Sequence, residues 1–372
     1  MINLFCVHMP ESVDELLLKV LHSGFIGQGI QVDKFEDALI PWVNNKNVLT
    51  VNSGTSALHL ALKLAGIGFG DEIISTPQTC SATNTPIVLI GANIVWADID
   101  PYTGNIDPET IKPLITSKTK AIMYVDWGGF PCQLDEINKI AKEDGLKTIE
   151  DAAHAFGAIY KDRKIGSISD YTCFSLQAIK HITTVDGGIL TAKSEEDYRR
   201  GKLLRWYGID REGPRTDLRC EQDILEAGTK WHMNDVSACI GIEQLNYIES
   251  ILKKHRDNAA YYDSQFRVRN IKRCKPLRYP DDRISSYWLY SILVDNKDEF
   301  REFMAKKGIM ASAVHSRCDT HTCFKNAIKK FELKGVDYFS QHQMSVPVGW
   351  WVSPEDREYI MDAIEEYGNV RA

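Results

Sequence analysis

The stretch "CFSLQAIKHITTVDGG", Cys173 to Gly188, carries one lysine, Lys180, between a short apolar run and a glycine pair. An amine just beyond a strand can form a Schiff base with an aldehyde, provided burial and a charged neighbour keep enough of it neutral to attack. A lone lysine is far more often a solvated surface charge, so the argument rests on what accompanies it. In "TIEDAAHAFGA" a strand ends in Glu150 and Asp151, and the small residues Ala152, Ala153 and Ala155 leave room beside them. That is the carboxyl edge of a sheet, where open α/β folds bind ligands.

Asp151 has two readings. It can cap a helix, a frequent role for Asp at such a junction. It can also pair with the pyridinium nitrogen of pyridoxal 5'-phosphate and keep that ring protonated, so that it draws electrons from a substrate carbanion. A third feature, "VNSGTSALHLAL", ends a strand in Asn52-Ser53-Gly54 and begins a helix near Thr55. Free N–H groups, the hydroxyls of Thr55 and Ser56, and a glycine that permits close approach make a phosphate site. An ordinary Ser53 cap would explain the same stretch equally well.

The elements that would hold these groups alternate. Apolar or β-rich runs occur at 47–51, 72–76, 93–99, 120–125, 147–151, 171–176 and 187–192. Between them lie helical patterns such as "TSALHLALKLAG" and "LDEINKIAKEDG", the second closing on a glycine. Alternation of this kind implies an α/β domain with a mostly parallel sheet. After about residue 245 a long charged helix, "YWLYSILV", "DEFREFMAKKG" and a closing helix read as a smaller α+β domain. The expected division is therefore 1–245 and 246–372. "GIGFGD", from Gly66, follows a helix where a dinucleotide fingerprint must follow a strand, so Gly66 reads as a helix C-cap and a dehydrogenase loses its support.

Composition excludes other classes. A chain of 372 residues with 44% hydrophobic residues can bury a sizeable core. Its net charge of −7 and lack of a basic block argue against nucleic acid as a partner. Neither a charged leader before an apolar stretch nor an apolar run of membrane-spanning length is present, so no membrane partner and a cytoplasmic location are expected. Nine cysteines without paired spacing fit reduced thiols. His315, Cys318, His321 and Cys323 are ligand types zinc accepts, but they lack the two tight pairs of a structural site, and no metal is expected.

With these residues in order, the chain resembles the DegT/DnrJ/StrS sugar aminotransferases, fold type I enzymes that use pyridoxal phosphate. The resemblance runs through "SGFIGQG", "VNSGTSALHLALKLAGIGFGDEII", "IGANIVWADIDPYTGNIDPETI", "IEDAAHAFGA", "FSLQAIKHITTVDGG" and "GIMASAVHS". It implies a large domain with a seven-stranded sheet, a smaller C-terminal domain, and a homodimer whose active sites lie at the subunit interface. Carried over by position, Lys180 is the Schiff-base lysine and Asp151 the partner of the ring nitrogen. Ser175, Thr55 and Ser56, with Gly54, match the phosphate positions.

Three departures mark a subgroup. "GTKWHM" puts Lys230 where many members have an asparagine that reaches the neighbouring subunit's phosphate, and a cation suits that place. "PQTCSAT" puts Cys80 where an aromatic usually stacks on the ring, and His154 replaces the usual Gln after the acid. The resemblance implies transfer of an amino group from glutamate to a keto sugar, with a nucleotide-linked 4-keto-6-deoxyhexose as first expectation. A keto sugar acid or a small phosphorylated ketone stays open as acceptor. A related dehydratase has histidine at the lysine position, but counting five residues on from Ser175 reaches Lys180, one place before His181. A non-catalytic regulator would be expected to have lost Lys180 or Asp151. Candidate acceptor-pocket residues are Trp127 and Asp126, the arginines Arg205, Arg211 and Arg215, and His315 with Arg317, whose guanidinium forks suit phosphate or carboxylate.

Overall fold

The seven β-rich runs between residues 47 and 192 fold into one sheet, which the computed structural model gives within residues 1–213 and 223–369, the part of the chain described here. In chain order the elements are α1 (Val13–Leu21), α2 (Ile30–Val43), β1 (Val48–Val51), α3 (Gly54–Leu64), β2 (Glu72–Ser75), α4 (Ser81–Leu89), β3 (Asn93–Trp96) and β4 (Thr119–Val125). Then come α5 (Leu134–Glu143), β5 (Lys147–Asp151), the short pair β6 (Ile159–Tyr160) and β7 (Arg163–Lys164), β8 (Tyr171–Ser175), β9 (Gly188–Ala192) and α6 (Glu195–Leu204). The remainder is α7 (Asp235–Leu245), α8 (Ile248–Val268), β10 (Cys274–Pro276), β11 (Arg283–Ile284), β12 (Tyr290–Val294), α9 (Lys297–Lys306), α10 (Lys334–His342), β13 (Gln343–Val346) and α11 (Pro354–Asn369).

The large sheet has the order β1-β9-β8-β5-β4-β2-β3. Strand β9 runs antiparallel to both neighbours, and the other pairings are parallel. The reason is local: the β8–β9 connection holds no helix to carry the chain across the sheet, so it returns beside β8 in the opposite sense. That connection carries Lys180. Because β1, β5 and β8 share one direction, Ser53, Asp151 and Ser175 emerge at the same carboxyl edge.

Gly66, at φ 72°, closes α3 in the left-handed region, where glycine lacks the Cβ penalty. "GIGFGD" is thus a helix exit and turn. Strands β10, β12 and β13 form a second, three-stranded sheet, and its buried residues share a core with α8, α9 and α11. The chain between α7 and α8 breaks at residues 246 and 247. Segments from beyond that break return to the large sheet: Trp288, Cys318 and Phe339 belong to the same buried cluster as β1, β2 and β4. Among the described residues no helix is long and apolar enough to cross a membrane.

Candidate active site

A cavity of about 510 Å³ opens at the carboxyl edge of the large sheet, within the usual range for small-molecule sites. The start of α3 forms one side. Ser53 caps it, its hydroxyl accepting from Ser56 N at 3.0 Å, so the plain reading of this serine holds. The cap leaves the N–H groups of Gly54 and Thr55 at the first helical turn, and both residues line the cavity. A Cβ on Gly54 would stand 3.0 Å from Ser175 Cβ and 3.2 Å from its Cα, so glycine is what lets the helix start lie against Ser175. Ser56 is different: its hydroxyl donates to Asn52 Oδ1 at 2.6 Å and it does not line the cavity.

Asp151, at the end of β5, caps no helix. Its Oδ1 accepts from Ala153 N at 3.0 Å in a turn, and its Oδ2 accepts from the Thr83 hydroxyl at 2.6 Å. Burial raises its pKa, against the lowering effect of those two hydrogen bonds and of Lys180. Lys180 follows a turn in which its N–H donates to Gln177 O at 2.9 Å. Burial brings its pKa down to about 7, although Asp151 and Cys80 pull it back up. An amine so placed is substantially neutral near neutral pH and able to attack. His181 is turned out of the cavity, its Nε2 against Ser286 O at 2.9 Å, so the register that selects Lys180 is also the geometry.

His154 and His315 line the cavity as near-parallel rings 5.6 Å apart. Burial holds His154 well below the ordinary histidine range and brings His315 to about 4, each helped by the charge of Lys180, so both are neutral at pH 7. Among the described residues neither His154 Nδ1 nor His315 Nε2 has a hydrogen-bond partner, although both atoms are buried. Cys80 stands at the start of α4 and lines the cavity too.

The other expected acceptor-pocket residues fall elsewhere. Trp127 is fully buried behind the two imidazoles, edge-on to His154 and His315, with Nε1 donating to Ser291 Oγ at 3.3 Å. It backs the cavity and does not line it. Asp126 is buried as well, accepting from Cys132 N at 2.8 Å. Arg205 has its guanidinium committed to Glu36 and to Thr50 O, 2% exposed, which corrects its expected substrate role: those partners occupy the fork. Arg317 is corrected for the same reason, being gripped twice by Asp319 and again by Asp337. Arg211 stacks on Trp206 and donates to Gln28 O, away from this cavity. Lys230 is exposed and also outside it, its carbonyl accepting from Asn52 Nδ2. Arg215 lies outside the described residues. Of the four zinc-type side chains, His315 lines the cavity, Cys318 donates to Thr79 O from the core and Cys323 is exposed.

The model of the DegT/DnrJ/EryC1/StrS aminotransferase family matches residues 8–365. The chain belongs to this family. It is a pyridoxal-phosphate-dependent aminotransferase. The UDP-4-amino-4,6-dideoxy-N-acetyl-β-L-altrosamine transaminase of Campylobacter jejuni is 30% identical over 365 residues, covering 96% of this chain and 95% of that protein. The sugar aminotransferase CalS13 of Micromonospora echinospora superposes with a TM-score of 0.94 at 33% identity, over 98% of this chain and 100% of that one. The protein Spr1654 of Streptococcus pneumoniae superposes at 27% identity over 99% of this chain, with a TM-score of 0.91 over 98% of its PLP form and 0.90 over 97% of its PMP form.

The aminotransferase's cavity fits its cofactor on independent grounds. Asp151 is a buried acid with a raised pKa, which a cationic ring nitrogen would reverse. The Gly54–Ser175 approach would give phosphate oxygens N–H and hydroxyl donors, and the buried His154 Nδ1, unpartnered among the described residues, would offer the cofactor a polar partner. Sequence reasoning missed Thr83, which orients Asp151, and Trp288, whose ring stacks on His154 at 4.0 Å and carries Lys180 Nζ 3.5 Å from its centroid. Thr83 sits two residues beyond "PQTCS", and a hydroxyl beside that departure was the available signal. Trp288 opens "WLYSILV", which was read only as part of the smaller domain.

Proposed function

We propose that this aminotransferase moves an amino group from glutamate to a nucleotide-linked 4-keto-6-deoxyhexose in the making of surface-polysaccharide amino sugars, lipopolysaccharide among them. The observation that carries the reading is Lys180, a buried amine poised near neutrality beside an acid at a sheet edge. The acceptor class rests on the transaminase of Campylobacter jejuni, whose name describes a 4-amino-4,6-dideoxy sugar bound to UDP. When bound, pyridoxal phosphate supplies an aldehyde that exchanges amines and a ring that takes up electrons from the substrate carbon.

The chain's own residues do the rest. Lys180 would be the amine that holds the cofactor, and as a free amine it would serve as the base for the proton on the donor's α-carbon and, once protonated, as the acid that delivers that proton. Asp151, fixed by Thr83 and Ala153 N, would pair as an anion with the ring nitrogen. His154 would offer its imidazole to the cofactor as a hydrogen-bond partner, and Cys80 would pack against it. Gly54, Thr55 and Ser175 would hold the phosphate. Among the described residues no arginine or second lysine lines the cavity, which supports a homodimer in which Lys230 of the partner subunit completes the phosphate site. His315 faces the acceptor. We place the enzyme in the cytoplasm, since the eight cysteines of the described residues are all free thiols.

The test is incubation of purified protein with glutamate and a panel of keto sugars, following 2-oxoglutarate. Turnover is expected with the nucleotide-linked 4-keto-6-deoxyhexose and is abolished in Lys180→Ala; turnover in that variant overturns the mechanism. Product formed only with a keto sugar acid or a phosphorylated ketone would reassign the acceptor. Mixing Lys180→Ala with Lys230→Ala subunits should restore one competent site per mixed dimer, and no recovery would refute the shared site.

A further inference from the structure

The segment Ser285–Trp288 comes from far along the chain, yet it grips both the reactive lysine's loop and the strand end that carries His154. Trp288 Nε1 donates to Ile179 O at 2.9 Å, one residue before Lys180. His181, one residue after it, bonds Ser286 O, and the Ser286 hydroxyl donates to His154 O at 2.8 Å. Between them Tyr287 has φ 51°, a left-handed conformation that a bulky residue rarely adopts. It is held there from two sides, by Ser285 Oγ on its N–H at 3.0 Å and by His255 Nδ1 on its carbonyl at 2.8 Å. Strain that a structure over-determines in this way concentrates at functional sites. Here it lets Ser286 and Trp288 engage the lysine loop from the same short segment.

Phe5 stacks on the indole of Trp288 at 5.0 Å and 25°, and Trp288 itself is 3% exposed, so the ring cannot swing aside. Lys180 Nζ lies 3.5 Å from a centroid of that ring, within the range of a cation–π contact and in surroundings dry enough to strengthen it. We infer that Trp288 is the positioning residue of the reactive lysine, its indole face being the seat on which the free Lys180 ammonium rests and its N–H the pin that fixes the loop. The inference rests on the assignment of Lys180 as the reactive amine. It adds a division of labour. An indole face attracts the ammonium and not the neutral amine. Lys180 is therefore biased towards its charged form when parked, and more of it is the neutral, attacking amine when it leaves the ring. Asp151 favours the parked ammonium too, while His154, His181 and His315, all kept neutral by burial, would oppose it if charged. Cys80 and Asp186 complete the groups facing the amine.

The experiment measures the lysine itself. Full-length protein reconstituted with pyridoxamine phosphate, in which Lys180 is free, is trace-labelled with acetic anhydride across a pH range, and acetylation of Lys180 is quantified by peptide mass spectrometry. Loss of the aromatic face in Trp288→Met should lower the pH midpoint of labelling by about 0.5–1 unit, because the ammonium loses its stabilisation while the neutral amine does not. Trp288→Phe, with a weaker ring face, should fall between the two. If Trp288→Met does not fold, the Trp and Phe proteins alone decide the matter. A Phe midpoint equal to or above that of the wild type, or a Met midpoint equal to it, overturns the assignment. Labelling reads protonation without turnover, so a failure here is separate from a failure of Lys180 as the catalytic amine, which Lys180→Ala tests directly.

Discussion

The hydroxyl of Thr83 donates to Asp151 Oδ2 at 2.6 Å, from the first turn of a helix onto the end of a strand. This contact, with Ala153 N on the other oxygen, fixes the carboxylate's plane and favours its ionised form against the burial that raises its pKa. Thr83→Val keeps the volume and removes the donor. A hydrogen bond to a charged group is worth roughly 1.5–3 kcal/mol, so cofactor affinity should fall by about tenfold or more. Spectrophotometric titration of the apoprotein with pyridoxal phosphate measures it. An unchanged Kd would show that Asp151 needs no such support.

Lys180 sets a pH window for cofactor capture. Burial brings its pKa down to about 7, and only the neutral amine attacks an aldehyde. The bimolecular rate at which apoprotein takes up pyridoxal phosphate should therefore rise close to tenfold per pH unit below that value and level off above it. Stopped-flow absorbance between pH 5.5 and pH 9 gives the profile. An exposed lysine of ordinary pKa would go on accelerating through pH 9, and that result would refute the buried amine.

Lys180, Asp151 and Ser175 were legible in the sequence because strand ends fix them: an apolar run followed by Gly or Ala places the next polar side chain at the sheet's edge. The seven strands were legible for the same reason, and the helix exit at Gly66 because its glycine follows a helix. The misreadings share one cause. Arg205 finds Glu36 and Arg317 finds Asp337, and nothing in the spacing of an arginine reveals that a distant carboxylate has already taken its guanidinium. Trp288 reaches Lys180 from the far side of the chain, so a run read only as part of the smaller domain concealed it. Ser56 turns to Asn52 and away from the cavity, because a cap and a phosphate cradle use the same hydroxyls and only geometry divides them.

Gly188 tests how closely the phosphate loop and the sheet must approach. A Cβ there would lie 2.5 Å from Ser53 C and 2.7 Å from Gly54 N, both backbone atoms at the start of α3. Neither can yield without moving the helix start. Gly188→Ala should weaken cofactor binding by at least about tenfold and cost roughly 1–3 kcal/mol of stability, as overpacking does. Gly68, whose added Cβ would meet nothing within 4 Å, is the control. Equal behaviour of the two alanine variants in titration and thermal melts would sink the argument.

Arg205 and Glu36 make a prediction opposite in kind, since the pair lies buried between α2 and the end of α6. Glu36 Oε1 also accepts from Thr50 N at 2.7 Å and from the Thr50 hydroxyl at 2.8 Å, so the carboxylate ties α2 to β1 even before the arginine arrives. Arg205→Met leaves that carboxylate without its cation, and breaking a buried pair from one side costs about 3–5 kcal/mol. Removing both charges in Arg205→Met/Glu36→Leu should recover part of the loss, because an unpaired buried charge is the larger penalty. The recovery stays incomplete, since Thr50 N–H would then lack an acceptor. Denaturant unfolding of the two variants reads the difference. If Arg205 served the acceptor instead, Arg205→Met would raise the acceptor's KM at unchanged stability, and the double variant would regain nothing.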